Sequence, residues 1–283
     1  MIKILSDSTC DLSKELVERY DIGIIPLHVY LGTQEYLDGV DIVPKKIYEW
    51  SDANGATPKT SAPAIDDVEE IYKKYIDDVE GMVVFTISSS MSASCNVCKL
   101  AAEALGIKDK VVVIDSANLS TGIGHLVIEA AELAAAGKSI GEIEKEILRL
   151  RPLVRASFIV DTLEYLHRGG RCSGLAAMFG SVLKLHPRIV VTNGAMSSEK
   201  KYRGNLESVI VTYIRELEPE LVKAKTDRVF ITHSGCPDEI TFKVRDMLVE
   251  LGCFKEVLIT HAGYVVSSHC GPGTLGVLFI AQE

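Results

Sequence analysis

MVVFTISSSMSASCNVCKLAAEAL, residues 82–105, contains in order a strand pattern, a polar loop and a helix pattern. Residues 82–87 form a mainly apolar run of strand length, broken only by Thr86, which is typical of a strand buried on both faces. Residues 92–105 predict a helix, and the apolar residues 111–114 predict the next strand. A buried strand, a helix and a second buried strand in succession predict a parallel sheet in an α/β fold.

The same alternation extends to both sides of this stretch. On the N-terminal side it predicts strands at 2–5 and 22–30 and helices at 12–20 and 65–76. On the C-terminal side, long helical patterns cover residues 120–151. The pattern restarts near Arg151-Pro152, and Asn193-Gly194 indicates a tight hairpin turn. We therefore expect two α/β domains, residues 1–155 and 156–283. In the second, strands are predicted at 157–160, 189–192, 229–232, 257–261 and 277–281, and helices at 206–223 and 239–251.

Composition narrows the classes of function. The chain has 283 residues, of which 47% are hydrophobic, and its net charge is −9. This apolar content excludes a disordered chain, and the acidic balance disfavours a nucleic-acid partner or an anionic membrane surface. We expect no stable membrane insertion, because no apolar run reaches the ~20 residues of a membrane helix. Seven scattered cysteines and the lack of a signal-peptide pattern predict a cytoplasmic protein with free thiols.

Several catalytic and metal motifs can be tested against their context. Residues 271–276, GPGTLG, match a dinucleotide-binding pattern, but too little chain follows for the helix and the acidic residue that such a site requires. Cys95 and Cys98 lack a second cysteine pair for zinc, and core packing explains them better. Ser181-x-x-Lys184 has no companion motif. A hydrolase that uses Ser92 and His269 remains an alternative, because catalytic residues need not be close in sequence.

Hydroxyl side chains are concentrated where strands lead into helices. Five serines lie within residues 88–94, and Thr60 and Ser61 precede another helix pattern. Helix N-termini offer free N–H groups, and the carboxyl edge of a parallel sheet is the usual ligand site of α/β proteins. We therefore expect a small anionic group, a carboxylate or a phosphate, as the ligand. His269, in a predicted loop before Gly271-Pro272-Gly273, is a further candidate.

These motifs resemble those of the DegV family across essentially the whole chain. The most specific of them is the block DTLEYLHRGGR, residues 161–171. The other motifs, in order along the chain, are Ser6-Asp7-Ser8, Thr60-Ser61-Ala62-Pro63, Ser88-Ser89-Ser90-Met91-Ser92 and His269-x-Gly-Pro-Gly.

The resemblance implies a bacterial cytoplasmic protein that binds one long-chain fatty acid between two α/β domains. It further implies a carrier without activity of its own, which needs no metal or cofactor and presents the acyl carboxylate to a separate fatty acid kinase that makes an acyl phosphate. By the same resemblance, Thr60 and Ser92 bind the carboxylate and His269 lies beside it. Ser61, Arg168 and Arg171 are expected near the head group or at a partner contact. A regulatory lipid-sensing protein is a further alternative.

Three positions depart from the family's pattern. Ala93 replaces a glycine after the second serine, Cys95 replaces a tyrosine, and His186-Pro187 replaces Lys-Pro. Ala93 is a mild change at a helix start. Cys95 lacks the aromatic ring of the family's tyrosine. Because the loss of that ring changes the shape of the region, the family's pattern does not predict which chain length of fatty acid this chain prefers.

Overall fold

The computed structural model describes residues 1–40, 44–171 and 185–282. The strands are β1 (Ile2–Asp7), β2 (Gly23–Ile25), β3 (His28–Leu31), β4 (Gln34–Leu37), β5 (Lys59–Ser61), β6 (Gly81–Thr86), β7 (Val111–Asp115), β8 (Val154–Ile159), β9 (Leu185–Thr192), β10 (Ala195–Arg203), β11 (Arg228–Ser234), β12 (Glu256–His261) and β13 (Thr274–Ile280). The helices are α1 (Lys14–Arg19), α2 (Pro44–Asn54), α3 (Ile65–Tyr75), α4 (Ser94–Ala104), α5 (Thr121–Ala135), α6 (Ile140–Leu150), α7 (Glu164–Gly169), α8 (Leu206–Leu221), α9 (Asp238–Glu250) and α10 (Tyr264–Cys270).

The first sheet consists of four parallel strands in the order β2-β1-β6-β7. β1 and β6 are buried along their whole length, as central strands are when helices cover both faces. The side chains of β6 alternate between two apolar clusters. Val83 and Phe85 belong to the cluster that includes residues of α5 and α6, whereas Met82 and Val84 belong to the one that includes residues of α3 and α4. The predicted α/β fold is confirmed here.

The predicted strand at residues 22–30 is two strands in two sheets. β2 joins the parallel sheet, and β3 pairs antiparallel with β4 and β5 in a separate three-stranded sheet. Pro26 lies between β2 and β3 and has no N–H to donate to a strand ladder. The chain leaves the first sheet at this proline, and this brings Thr60 of β5 opposite Val29 of β3.

The second large sheet has six strands in the order β10-β9-β8-β13-β11-β12 and is mixed. Only β11 and β12 pair in parallel; the other neighbours are antiparallel. The predicted hairpin joins β9 to β10. Asn193 and Gly194 have φ values of 50° and 81°, the positive values that a tight two-residue hairpin turn requires.

Helix α5 lies between the two large sheets. Residues 121–131 are buried on all sides, which is unusual for a helix at a sheet surface. Thr121 bonds to Thr232 of β11 at 2.6 Å, and the His125 ring bonds to the carbonyl of Leu278 in β13 at 2.9 Å. All strands of the six-stranded sheet come from residue 154 onward, so a domain boundary at 155 cuts into β8. The boundary itself stays a prediction.

Two short helices replace predicted loops. α7 covers Arg168, which was expected in a loop over residues 168–174, and residues 172–174 lie outside the described part. α10 contains His269, which was expected in a loop. With six and seven residues, both helices are too short to show a helical period in sequence. No prediction covered α2. Among the described residues, no helix is both long and apolar enough to cross a membrane.

Candidate ligand-binding site

A cavity of about 240 Å³ lies beyond the carboxyl end of β6. Its walls come from the loop after β6, from β5, from α10 and from the β9–β10 hairpin. Most of the lining side chains are apolar, and the polar ones are Thr60, Ser61, Ser92, Arg171 and His269. The apolar wall consists of Leu27, Ala62, Ile87, Met91, Ala93, Leu119, Met196, Val265, Val266 and Cys270. A mainly apolar pocket with a few polar groups is the usual form of a small-molecule site.

Thr60 and His269 form the central polar pair of the cavity. The Thr60 hydroxyl and His269 Nε2 are 2.7 Å apart, although 209 residues separate them in sequence. Burial, and secondarily the charge of Arg171, lower the pKa of His269 to about 4, so the ring is neutral at pH 7. Its buried Nδ1 has no hydrogen-bond partner among the described residues.

The tautomer of His269 determines what Thr60 can donate. We assign the ring proton to Nε2, because an unpaired buried N–H is the rarer and costlier arrangement. Nε2–H then donates to the Thr60 oxygen. The Thr60 hydroxyl hydrogen remains available to a ligand oxygen in the cavity, so the pair presents a hydrogen-bond donor to an anionic group.

Ser92 lies in the cavity wall just before α4. Its oxygen accepts from the backbone N–H of Ser94 at 3.3 Å and lies 2.8 Å from the Ser94 hydroxyl. Ser92 is therefore held by the first residue of α4 and also faces the ligand space. Within the described structure no hydrogen bond joins Ser92 to His269, which leaves the alternative of a serine hydrolase without its nucleophile–base pair.

The two arginines occupy different places. Arg171 lines the cavity and donates to the carbonyl of Gly169 at 2.7 Å. It also borders a neighbouring, more polar cavity of about 300 Å³ that shares Met91 and Met196 with the first. Arg168, in contrast, pairs with Glu164 one turn earlier in α7 and is not part of the cavity wall. Ser61 is exposed at the cavity edge.

The two glycines of the DTLEYLHRGGR block have different roles: Gly170 ends α7, and Gly169 lies against His269. Gly170 ends α7 with a φ of 66°. A side chain on Gly169 would place its Cβ 2.4 Å from His269 Nδ1. The absence of a side chain there is what allows the α7 backbone to lie against the imidazole ring. A glycine pair between two arginines also suits a backbone that approaches a partner surface. Gly170 is exposed, whereas the half-buried Gly169 packs against the His269 ring.

A second, smaller cavity adjoins the first. It shares the wall residues Leu119, Val266 and Cys270, and extends between α5 and the six-stranded sheet as far as Phe158 and Leu278. The apolar wall residues of both cavities escaped the sequence analysis, because a leucine or valine that faces a cavity has the same pattern as one that faces the core.

The remaining motifs take structural positions. The GPGTLG loop leads into β13 and no helix follows it in the described chain, as expected. Cys95 and Cys98 are buried in α4, and neither lines the cavity. The buried His186 contacts Asp161 and the carbonyl of Gly204. Ser181 and Lys184 lie outside the described residues. No cluster of three or more potential metal ligands occurs in the part of the chain that is described.

Comparison with known proteins gives a consistent result. The profile of the DegV family, described as uncharacterised proteins, matches residues 1–282. A DegV domain-containing protein of Clostridium acetobutylicum is 32% identical over 99% of both chains. The structure of a DegV family protein from Thermus thermophilus, described by its fatty-acid binding, has a TM-score of 0.89 at 30% identity over 99% of both chains. DegV of Bacillus subtilis, described as a fatty-acid-binding protein, has a TM-score of 0.86 at 27% identity over 99% of both chains. The chain belongs to the DegV family.

Proposed function

We propose that this chain binds one long-chain fatty acid and presents its carboxylate to a separate fatty acid kinase. The carboxylate would accept hydrogen bonds from Thr60 and Ser92 beside His269. The observation that carries the proposal is the division of the cavity into an apolar wall and a cluster of hydrogen-bond donors. An acyl chain that ends in a carboxylate has the same division. Fatty-acid binding by the proteins of T. thermophilus and B. subtilis supports the proposal.

The two ends of the ligand would contribute differently. Each methylene buried in the apolar cavity contributes about 0.8 kcal/mol, so a long tail supplies most of the affinity. A hydrogen bond to a charged group contributes about 1.5–3 kcal/mol. Thr60 and Ser92 would therefore fix the position of the carboxylate, and the tail would keep the ligand bound.

The position of Arg171, which lines both the apolar cavity and its polar neighbour, supports presentation of the carboxylate to a kinase. A carboxylate oxygen would attack the terminal phosphorus of ATP on the kinase, forming an acyl phosphate and releasing ADP. The Arg171 guanidinium would contact the transferred phosphoryl group or the kinase, since its fork of N–H donors matches phosphoryl oxygens. In this proposal the chain is a cytoplasmic carrier of two α/β domains whose ligand is the fatty acid, and it uses no cofactor.

Two measurements on delipidated protein test the proposal: its affinity for palmitate, and acyl-phosphate formation when palmitate and a cognate kinase are added. Thr60→Val keeps the side-chain shape but removes the hydroxyl, and we expect palmitate affinity to fall about tenfold or more. Thr212→Val, an exposed position on α8, is the matched control. Arg171→Ala should keep palmitate affinity but lose acyl-phosphate formation with a cognate kinase, whereas Arg168→Ala should keep both.

Three results would count against this function. Unchanged palmitate affinity in Thr60→Val would show that Thr60 does not bind the carboxylate. A loss of stability in Arg171→Ala without a selective loss of the kinase reaction would give that arginine a structural role. Sustained hydrolysis of acyl esters that Ser92→Ala abolishes would favour the hydrolase.

A further inference from the structure

The segment Ser6–Asp11 joins β1 to the site but lines no part of the cavity. Its two carboxylates, Asp7 and Asp11, are buried, and a third buried carboxylate, Asp38, lies beside them after β4. Burial raises the pKa of Asp7 to about 6 and also raises the pKa values of Asp11 and Asp38. Carboxylates are costly to bury, so their hydrogen-bond partners indicate what they do.

Asp7 holds the start of the serine-rich loop. One of its oxygens accepts from the backbone N–H of Ile87 at 2.8 Å, and the other accepts from the N–H and hydroxyl of Thr9 at 3.1 and 2.5 Å. Ile87 is the first residue after β6, and the loop that begins there leads to Ser92. The carboxylate therefore fixes the direction in which this loop leaves the sheet.

Asp11 and Asp38 hold the start of α10. Asp11 accepts from the backbone N–H of Gly263 at 2.8 Å, and Asp38 accepts from that of Tyr264 at 2.7 Å. Their second oxygens accept from the hydroxyls of Ser120 at 2.5 Å and Ser8 at 2.7 Å. Both carboxyl groups thus satisfy backbone N–H groups at the start of α10 that have no partner within the helix.

The contact at Gly263 is closely packed. A Cβ on this glycine would lie 2.9 Å from an Asp11 oxygen and 3.3 Å from an Asp38 oxygen. Gly263 is the N-cap of α10, and His269 lies near the other end of the same short helix. A shift at Gly263 would therefore move the imidazole ring.

We propose that Asp7, Asp11 and Asp38 are positioning residues that fix the Ser92 loop and the His269 helix relative to each other. The proposal rests on the proposed function, because it treats those two elements as the carboxylate site. The three aspartates line no part of the cavity. They act through the loop that begins at Ile87 and the helix that begins after Gly263, because both elements must bring their polar groups to one carboxylate.

Asp11 gives the sharpest test. Asp11→Ala removes the acceptor for Gly263, whereas Asp11→Asn keeps an oxygen for it. We expect palmitate affinity to fall about tenfold or more in Asp11→Ala, the effect of one lost hydrogen bond to a charged group, and to be largely restored in Asp11→Asn. The NMR signals of the His269 ring should move in ligand-free Asp11→Ala and stay near their original positions in Asp11→Asn.

Glu129→Ala is the matched control for lost stability. Glu129 is a buried carboxylate on α5 that pairs with Arg228 and Lys225, away from the cavity. It should lower the melting temperature without changing palmitate affinity or the His269 signals. An equal loss of affinity in Glu129→Ala would overturn the positioning role, as would unchanged affinity and unchanged His269 signals in folded Asp11→Ala.

Gly263→Ala covers the case in which Asp11→Ala fails to fold. It keeps all three carboxylates but pushes its Cβ against those of Asp11 and Asp38, so we expect the same shift of the His269 signals and the same loss of affinity. Unchanged signals in this variant would again overturn the proposal. If the original protein bound no palmitate, the proposed function would fail, and the His269 signals of the ligand-free variants would still decide the positioning role.

Discussion

His269 and Arg171 lie at the same end of the cavity, and the guanidinium charge acts on the imidazole. Burial is the larger cause of the lowered histidine pKa, and Arg171 adds to it because a nearby positive charge disfavours a second one. A neutral ring at pH 7 can donate through Nε2 to Thr60 without bringing a full charge into the apolar cavity. With the imidazole neutral, the positive charge beside the cavity is that of Arg171, which also borders the polar cavity.

The titration of His269 tests this arrangement. In the ligand-free protein its pKa should lie near 4, and Arg171→Ala should raise that pKa while burial keeps it below the ordinary value of about 6.5. NMR titration of the ring measures both values. Arg168→Ala should leave the pKa unchanged, because Arg168 is paired with Glu164. A pKa near 6.5 in the original protein would contradict the burial described here.

The β9–β10 hairpin is the element that closes one side of the cavity. At its tip, the carbonyl of Gly194 accepts a hydrogen bond from the buried Ser88 hydroxyl at 2.7 Å. A Cβ on Gly194 would lie 2.5 Å from that same hydroxyl oxygen. Met196, two residues later, lines both the apolar cavity and its polar neighbour. The tip contact therefore determines how closely Met196 covers the ligand space.

Gly194→Ala should open this side of the cavity. The variant combines the strain of a side chain at positive φ with a steric conflict at Ser88, so we expect lower stability and faster release of bound palmitate. Gly137→Ala is the control, since Gly137 has a φ of 78° and a Cβ added there would meet nothing within 4 Å. It should share the loss of stability, about 1 kcal/mol, without faster release. Stopped-flow release rates distinguish the two, and equal rates would show that the tip does not control access.

Across the whole molecule, sequence patterns succeed where a signal is local. Thr60 and Ser92 precede helix patterns and do line the cavity, whereas their binding of a carboxylate stays a prediction. The Asn193-Gly194 turn carries its own conformational preference and could be predicted. α10 could not, because valines and serines favour helix only weakly and its start is held by Asp11, 252 residues earlier. The cavity wall escaped for a related reason: Met196 and Val265 differ from core residues only in what lies opposite them.

The two large sheets are joined by α5 and by buried charge pairs. Arg228 of β11 is 5% exposed and pairs with Glu129 and Glu132 of α5, and Lys225 also reaches Glu129. This contact opposes independent motion of the two halves, because separating them would break the ion pairs and expose the apolar surface that α5 buries against both sheets. The cavity is lined from both halves as well, by Thr60 and Ile87 on one side and by Met196 and His269 on the other.

The two halves should unfold cooperatively. Because α5 packs against both sheets, calorimetry of the delipidated protein should show one unfolding transition. Palmitate should raise the midpoint temperature of that transition without splitting it. At a free palmitate concentration of about 100 times Kd, the stabilisation should be about 2.7 kcal/mol. Thr60→Val should reduce the shift at equal palmitate concentration, since it weakens binding, while the Thr212→Val control should keep it. Two separate transitions, of which palmitate shifts only one, would show that the ligand is held by one half and that α5 does not couple the sheets.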